Sequence, residues 1–359
     1  MKSVGLGAIV VVEAGPGNLS PATERGQEFG ALLADPLACA DILGRPTVER
    51  TMEQLVRADT DVITVLLPEE GCRQPLSPPP SSNVVFQRVP DSSAAIAQTL
   101  KQYSEIGIAH AFVVSAQVYS ETDLLDFFYF HREARQTVTR ARDKDGALDM
   151  WVVNCARISE SDGAKLLQQA PPLLTSYYIG GYVRRLGHPE EIRRLICDAL
   201  GGRCAARPSG KEVRPGIWID EGADIDRRAR LVAPAYIGRN SKICEDALVT
   251  RFSSIEKNCH IDYGTVIEDS SVLSHTHIGI WLDVRHAVAN GNRIWSLEHD
   301  VLLEISDSSI MRSSLARKEA KQSSVQQQRE TRRVIADLQK KEKASAPDAW
   351  QLGANPIQG

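Results

Sequence analysis

The sequence lacks several features that mark particular classes of protein. Lysine is absent between Lys2 and Lys101, so arginine is the basic side chain of that stretch. No apolar run approaches the roughly twenty residues that span a bilayer. A net charge of −4 gives no electrostatic case for binding nucleic acid or an anionic membrane. We therefore expect neither nucleic acid nor a membrane as a partner.

Paired cysteine motifs are also missing. The seven cysteines are odd in number and scattered, and none has a Cys-x-x-Cys spacing. Several of them occupy apolar or small-residue positions, where cysteine acts as a buried hydrophobe. The pattern predicts no zinc or other metal site, no disulfide framework and a reducing, cytoplasmic location. The apolar residues after Ser3 are expected to form a first strand, because Ala14-Gly15-Pro16-Gly17 is a poor signal-peptide cleavage site.

A six-residue period dominates the C-terminal half of the chain. Four residues after each of the first nine aliphatic positions lies a small side chain, from Ala223 to Ser271. This pattern is typical of a parallel β-helix built from hexapeptides, in which three hexapeptides make one triangular coil. The aliphatic positions are Ile219, Ile225, Leu231, Ile237, Ile243, Val249, Ile255, Ile261, Ile267 and Leu273.

The hexads predict about three coils of left-handed β-helix. Outward positions such as Arg251 and Glu256 are expected to carry exposed charges worth only about 0–1 kcal/mol each. After the coils, the segments 287–291, 293–297 and 300–305 predict a terminal hairpin. The β-helix with its hairpin is therefore placed at residues 217–307, following a linker at 201–216.

The first 200 residues alternate strand and helix. This order predicts an α/β domain with a doubly wound, mostly parallel sheet and helices on both faces. Residues 308–359 are rich in Lys, Arg and Gln and predict a basic helical or disordered tail. The predicted strands are 8–12, 62–67, 84–89, 111–115 and 151–154, and the predicted helices are 46–57, 91–103, 121–134 and 189–200.

This architecture, together with a few local motifs, resembles the nucleotide-sugar pyrophosphorylases, or sugar-1-phosphate nucleotidyltransferases, such as mannose-1-phosphate guanylyltransferase. The segment Leu43-Gly44-Arg45-Pro46 is similar to the family's Gly-(Arg/Lys)-Pro turn before its second helix. The block from Asp123 to Arg132 resembles the helix after its metal-binding strand, and Asn154 resembles a residue of its sugar-binding strand. The resemblance implies nucleotidyl transfer from a nucleoside triphosphate to a sugar 1-phosphate, with Mg²⁺ as the cofactor of an active site.

The three catalytic elements implied by the resemblance are all altered. Gly15 and Gly17 remain from the glycine-rich phosphate loop, but its Thr-Arg pair is missing, and a bare turn is the first interpretation of these glycines. No lysine is present where the family has one, although Arg25 could substitute electrostatically. Ala116-Gln117 stands in place of the metal-binding Gly-Asp pair, so Asp123 is a weak replacement candidate; it is also expected as a helix-capping acid.

Three functional hypotheses follow. The first is a cytoplasmic, catalytically degenerate nucleotidyltransferase-like protein that binds a sugar nucleotide or a partner enzyme and assembles into homo-oligomers through the β-helix. The second is an active sugar-1-phosphate nucleotidyltransferase with relocated groups such as Arg25 and Asp123. The third is a hexapeptide-repeat acyltransferase with His275 or His277 as general base, although His277 is also expected simply to end the helix.

Overall fold

The computed structural model of the chain describes residues 5–13, 32–33, 35–72, 74–159 and 176–314. Eleven strands belong to its N-terminal part, and most of them join one mixed sheet. They are β1 (Gly5–Val11), β2 (Asp41–Ile42), β3 (Arg45–Pro46), β4 (Val62–Pro68), β5 (Val84–Val89), β6 (Ile108–Ser115), β7 (Val118–Ser120), β8 (Val138–Asp143), β9 (Gly146–Asn154), β10 (Ser176–Tyr178) and β11 (Val183–Arg185).

The mixed sheet has seven strands in the order β10-β8-β9-β6-β1-β4-β5. Neighbouring strands run parallel except at β9, which is antiparallel to both β6 and β8. The sequence predicted β1, β4, β5, β6 and the end of β9, but neither β10 nor the β8–β9 hairpin, whose Lys144-Asp145 turn is short and polar. Two small antiparallel pairs, β2–β3 and β7–β11, lie outside this sheet.

Four helices of eleven residues or more accompany the strands within the described residues. Each begins with a helix-starting signal: Pro46 before α1, Asp91 before α2, Asp123 before α3, and His188 before α4, which has Pro189 as its first residue. Their bounds are α1 (Thr47–Arg57), α2 (Ser92–Glu105), α3 (Leu124–Ala134) and α4 (Pro189–Leu200), and a single 3₁₀ turn covers Leu37–Cys39.

The helices cover both faces of the mixed sheet. Met52 of α1 and Phe127 of α3 pack with Val10 against one face, whereas Ile96 and Leu100 of α2 pack with Ile9 against the other. Val10 and Ile9 are neighbours on β1 and point to opposite faces, as the two-residue period of a strand requires. The predicted α/β architecture is therefore present. No helix among the described ranges is long and apolar enough to cross a membrane.

The C-terminal part consists almost entirely of short strands. They are β12 (Lys211–Arg214), β13 (Ile217–Ile219), β14 (Asp224–Ile225), β15 (Arg230–Leu231), β16 (Ala235–Ile237), β17 (Lys242–Ile243), β18 (Leu248–Thr250), β19 (Ser253–Ile255), β20 (His260–Ile261), β21 (Val266–Glu268), β22 (Ser271–Val272), β23 (Thr276–Ile278), β24 (Asp283–Arg285), β25 (Ala287–Asn290), β26 (Arg293–Ser296), β27 (Val301–Glu304) and β28 (Met311–Ser313).

Residues 217–285, which we call the coil stack, distribute these strands over three parallel sheets. The sheets contain β13-β16-β19-β22, β14-β17-β20-β23 and β15-β18-β21-β24, so that each successive trio adds one strand to each sheet. Ile219 aligns with Ile237 and Ile237 with Ile255, three hexads apart each time, and Ile237 and Ile255 are buried in a common aliphatic core. This arrangement is compatible with the β-helix that the hexads predict.

The later coils depart from the hexad spacing. Ile255 aligns with Val272 and Val272 with Ala289, so each of these steps is one residue shorter than the steps before them. Val272 packs in the core of the coil stack, and Leu273, which the hexads placed there, packs instead against the α/β part. In the first of these steps the missing residue lies at the corner around Asp269, between the aligned pairs Thr250–Glu268 and Ser254–Ser271. Because the pattern continues in this shifted register, the stack has four coils rather than the three expected.

The chain closes the coil stack with antiparallel strands. β25, β26 and β27 form the terminal hairpin and its return strand, close to the segments predicted from the sequence. β28 then pairs antiparallel with β23, so ordered structure continues past the predicted domain end at 307. Residues 315–359, most of the predicted basic tail, lie outside the described residues.

One cysteine prediction is wrong. Cys39 and Cys72 form a disulfide, with Cα atoms 5.6 Å apart and both side chains buried. Cys39 lies in the 3₁₀ turn before α1, and Cys72 follows β4. Their sequence separation of 33 residues conveys no pairing signal, because only the fold brings these two loops together.

Candidate functional site

The carboxyl ends of β1 and β6 form the topological switch point of the mixed sheet. From β1 the chain proceeds outward through β4 and β5, whereas β6 lies on the other side of β1. In open α/β sheets such a switch point leaves a crevice in which ligands bind. Val11 aligns with Ser115, and Glu13 and Gln117 each lie two residues further along. Glu13 is a candidate residue that the sequence reasoning missed, although a carboxylate directly after a predicted strand was a usable signal.

Gln117 occupies the position of the metal-binding aspartate implied by the resemblance. Its side chain is buried, with only 2% of the residue exposed. The backbone carbonyl oxygen of Gln117 accepts a hydrogen bond of 2.8 Å from the backbone amide of Leu186, and the backbone amide of Gln117 donates to Ser115 Oγ at 3.3 Å. The first of these bonds continues the antiparallel β7–β11 pair, so Leu186 lies beside Gln117. A buried neutral amide gives a divalent cation neither charge nor access.

Thr47, the first residue of α1, forms hydrogen bonds with the backbone near the carboxyl ends of β1 and β6. Its hydroxyl donates to the carbonyl oxygen of Ala116 at 3.0 Å and lies 3.3 Å from that of Ala38. Because the hydroxyl is buried, these contacts tie the start of α1 to the turn after β6 and to the loop of the disulfide. The backbone of the edge is thereby fixed from two sides.

The acidic residues after β7 serve local structure. Asp123 accepts hydrogen bonds from the amides of Leu125 at 3.0 Å and Asp126 at 3.1 Å, so it is the N-cap of α3. Glu121 accepts from the hydroxyl of Tyr119 at 3.0 Å and from the amide of Ala205 in the linker. The structure thus gives Asp123 the capping role that the sequence offered beside the catalytic one.

The remaining sequence candidates do not gather at this edge. Asn154 ends β9 and aligns with His110 near the beginning of β6. Because β9 runs antiparallel to β6, Asn154 lies at the edge of the sheet opposite to Gln117. Its side-chain oxygen accepts a hydrogen bond of 3.2 Å from the amide of Arg157. Gly15, Gly17 and Arg25 lie outside the described residues, and their proposed roles stay predictions.

The Gly-Arg-Pro turn has a structural role that the sequence did not suggest. Leu43 and Gly44 link β2 and β3 with positive φ angles of 54° and 81°. Their amides donate to Glu256 of the coil stack, at 2.8 Å to Oε1 and 2.8 Å to Oε2 respectively. The following residue, Arg45, bonds its guanidinium to Glu53 of α1. The turn therefore joins the two parts of the chain.

Glu256 was expected as an exposed charge and is instead completely buried. Burial, reinforced by the nearby carboxylate of Asp41, raises the pKa of Glu256 to about 8. Asp41 lies 3.0 Å from Lys257 Nζ and accepts a 2.7 Å hydrogen bond from the hydroxyl of Ser274. Arg50, also buried, donates to the carbonyl oxygen of Ile42 at 3.0 Å. A polar network thus lies inside the junction between the α/β part and the coil stack.

The two histidine candidates occupy neighbouring positions on β23 and its preceding turn. His275 has a positive φ of 65°, and its amide donates to the carbonyl oxygen of Lys257 at 3.0 Å. His277 is buried, and its Nε2 lies 3.0 Å from Asp262 Oδ2. Burial, with Arg312 close by, lowers the pKa of His277. β28 aligns Arg312 opposite His277, which restricts the approach of an acyl acceptor.

Comparisons with known proteins give low similarity. No known protein family matches the sequence, and no curated protein sequence matches it. A crystal structure of HddC from Yersinia pseudotuberculosis complexed with GMP-PN is similar at 14% identity with a TM-score of 0.39, and a second HddC structure at 15% identity with a TM-score of 0.39. Each similarity covers 52% of this chain and 96% of HddC. These values assign neither a family nor an activity to the chain.

Proposed function

We propose that the chain is a nucleotidyltransferase-like protein whose catalytic site is degenerate, and that it binds a sugar nucleotide at the carboxyl edge of β1 and β6. The observation that carries this proposal is the buried Gln117 at the position where the resemblance calls for a metal-binding carboxylate. Nucleotidyl transfer needs a cation to neutralise charge that develops on the phosphates. A buried amide at this position supports binding without transfer.

Two arginines near this edge are already engaged, which also supports the proposal. The guanidinium of Arg45 pairs with Glu53 and lies 4.0 Å from Glu49. Arg88 donates to the carbonyl oxygens of Pro68 at 3.2 Å, Gly71 at 3.1 Å and Cys72 at 3.3 Å. Moving either arginine to a triphosphate would break these contacts, at a small cost for the partly exposed Arg45–Glu53 pair and a larger one for the carbonyl oxygens that Arg88 contacts. Relocated catalytic groups would therefore have to come from elsewhere.

We infer that the coil stack is the left-handed β-helix predicted by the hexads, and that it organises the protein rather than catalysing acyl transfer. The contacts between Glu256 and the Gly-Arg-Pro turn support an organising role, since they use a coil residue to support the α/β part. Homo-oligomerisation through the coil stack and a partner enzyme stay predictions. Light scattering of the purified chain would measure the first.

Thermal-shift measurements test the proposed binding. The purified chain would be screened with nucleoside triphosphates, nucleotide sugars and acetyl-CoA, each with and without Mg²⁺. A ligand at a hundred times its Kd stabilises the folded state by roughly 2.7 kcal/mol. We expect stabilisation by a nucleotide sugar in the absence of metal, and no release of pyrophosphate from a triphosphate and a sugar 1-phosphate.

Two variants test whether the sugar nucleotide binds at the carboxyl ends of β1 and β6. Glu13→Gln changes the carboxyl edge and should alter the shift produced by the nucleotide sugar. Asn154→Ala changes the opposite edge and should leave that shift as in the wild type. Pyrophosphate release that requires Mg²⁺ would refute degeneracy. A complete absence of shifts with every nucleotide sugar would refute the binding role.

A further inference from the structure

A cluster of three different metal-ligating side chains lies on the outer surface of the coil stack. Cys244 Sγ is 3.4 Å from His260 Nε2 and 3.8 Å from Asp262 Oδ1, and the last two atoms are 2.8 Å apart. All three side chains are partly exposed, so an ion from solvent can reach them. The carboxyl edge and its proposed ligand do not involve these residues.

The coil geometry explains why these side chains converge. Ile243 and Ile261 align on adjacent coils and point into the core. The residues on either side of each isoleucine therefore point outward, because successive side chains of a strand alternate. Cys244 and Asp262 follow the aligned isoleucines, and His260 precedes the second one. Adjacent strands lie about 4.8 Å apart, which is close enough for one ion to bridge both coils.

The arrangement of the hydrogen-bonding atoms argues against a catalytic triad. In a nucleophile–histidine–carboxylate triad the two partners of the histidine bind different ring nitrogens. In this protein the thiol and the carboxylate both face His260 Nε2. One nitrogen cannot accept a proton from the thiol and donate one to the carboxylate at the same time. Three donor atoms that converge on one point instead suit a cation placed between them.

His277 extends the cluster to the next coil. It aligns with His260, and its Nε2 lies 3.0 Å from the second oxygen of Asp262. This contact leaves Asp262 Oδ1 directed at His260 and Cys244. Holding a ligating carboxylate through its second oxygen is a common way in which proteins orient metal ligands. The histidine that the sequence suggested as a general base is thus better placed as a positioning residue.

We propose that Cys244, His260 and Asp262 form a Zn²⁺ site, with His277 orienting Asp262 and water completing the coordination. Sulfur, imidazole nitrogen and carboxylate oxygen are the ligands that zinc prefers, and three protein ligands with one open position are a known zinc arrangement. The thiolate and the carboxylate together balance the charge of the ion. The bound ion would join the second and third coils on this face, and the contact between His277 and Asp262 links the fourth coil to them.

Cobalt substitution tests the site. The full chain, treated with a chelator and dialysed, would be titrated with Co²⁺ and then with Zn²⁺. We expect one equivalent of Co²⁺ to produce tetrahedral visible bands and a thiolate charge-transfer band, and Zn²⁺ to displace it. Zn²⁺ should also raise the Tm of the wild type. Absence of these bands, or of Zn²⁺ binding, would overturn the proposal.

Matched variants identify the ligands. Cys244→Ser should remove the charge-transfer band, whereas Cys204→Ser, which changes a half-buried cysteine in the linker, should retain it. His277→Gln should weaken Zn²⁺ binding roughly 10–100-fold, as expected for a residue that orients a ligand. Each apo variant should show a cooperative melting transition, so that loss of binding is separated from misfolding. A charge-transfer band that persists in Cys244→Ser would assign the metal to another cysteine and refute this site.

Discussion

The carboxylate of Glu256 accepts a 2.8 Å hydrogen bond from the backbone amide of Gly44, across 212 residues of sequence. The amide of Leu43 donates a second hydrogen bond to the same carboxylate. A side chain of the coil stack therefore holds the turn between β2 and β3 of the α/β part. Buried amides without acceptors are costly, so the turn in this conformation depends on Glu256. The junction is therefore a specific polar contact within a mainly apolar interface.

Removal of the Glu256 side chain should destabilise the protein. Glu256→Ala leaves the amides of Leu43 and Gly44 buried without their acceptors, which should lower the free energy of unfolding by roughly 2–5 kcal/mol. Glu221→Ala is the control, because Glu221 is a glutamate of the same coil stack with a side chain that is 85% exposed. Urea denaturation of both variants measures the difference. Equal stabilities would show that the amides find water or other acceptors.

The raised pKa of Glu256 predicts a decline of stability with increasing pH. Between its ordinary pKa of 4.5 in the unfolded chain and about 8 in the folded protein, the folded state holds a proton that the unfolded state lacks. The stability that this group contributes is therefore fully present below pH 4.5. It is lost as the pH rises from 4.5 to about 8, by up to about 1.4 kcal/mol per pH unit. Burial is the main cause of the raised pKa and Asp41 adds to it, whereas the amides of Leu43 and Gly44 and the nearby Arg50 lower the pKa.

Glu256→Gln isolates that pH effect. Between pH 6.5 and 8, the wild type should lose roughly 1–2 kcal/mol more than the variant, since glutamine does not titrate. Both free energies of unfolding would be measured by urea denaturation in the same buffers. Parallel pH profiles for the two proteins would mean that Glu256 ionises with an ordinary pKa in the folded state.

The sequence predicted the coil core but not which face of the coils is covered. The hexads alone predict which side chains point inward, because aliphatic residues that recur at every sixth position pack on one another inside the coils. Glu256 occupies an outward position, and its burial arises only from docking of the α/β part. A signal for this docking was nevertheless present. One row of aligned outward residues on the covered sheet is uncharged throughout: Trp218, Tyr236, Ser254, Ser271 and Val288.

The candidate sites were less predictable than the core. Helix-capping signals located α1 to α4, and the Asp123 cap was among the expected roles. Spacing rules did not identify Cys244, His260 and Asp262, because those rules consider cysteine and histidine pairs within short motifs. Cys244 and Asp262 come close to each other only because their two coils stack in the folded protein. The disulfide between Cys39 and Cys72 was missed for the same reason, since two distant loops form it.

The turn at Gly44 should not tolerate a side chain. A Cβ there would lie 1.8 Å from Ser209 Oγ and 2.3 Å from the hydroxyl of Tyr236, at a φ of +81°.

Gly107→Ala is a matched control, because Gly107 has a φ of +88° and nothing within 4 Å of its added Cβ. The control should lose about 1–2 kcal/mol from backbone strain alone. Gly44→Ala should lose about 1–3 kcal/mol more from overpacking. Thermal and urea unfolding would compare them, and similar losses would indicate that Ser209 and Tyr236 move aside without cost.

Arg193 of α4 is another polar link between the two parts of the chain. It is 4% exposed and donates to the carbonyl oxygen of Phe252 at 3.0 Å, to Ser271 Oγ at 3.0 Å and to Asp269 Oδ1 at 2.6 Å. Arg193→Met keeps most of the side-chain volume but removes all three of these hydrogen bonds, while Asp269 keeps its contact with His286 and Ser271 keeps its bond from Ser254. We expect a loss of roughly 1.5–3 kcal/mol, less than for a fully buried ion pair, because the Asp269 side chain is 35% exposed.

The neighbouring residue of α4 provides the control for Arg193. Arg194 has a side chain that is 59% exposed and pairs with Glu191 at 2.7 Å on the helix surface. Because exposed pairs contribute about 0–1 kcal/mol, Arg194→Met should be almost neutral. Arg193→Lys should lie between the two, since an ammonium keeps the charge but cannot span three acceptors in different directions. If urea denaturation ranked Arg193→Met no less stable than Arg194→Met, α4 would be held to the coil stack by its apolar contacts alone.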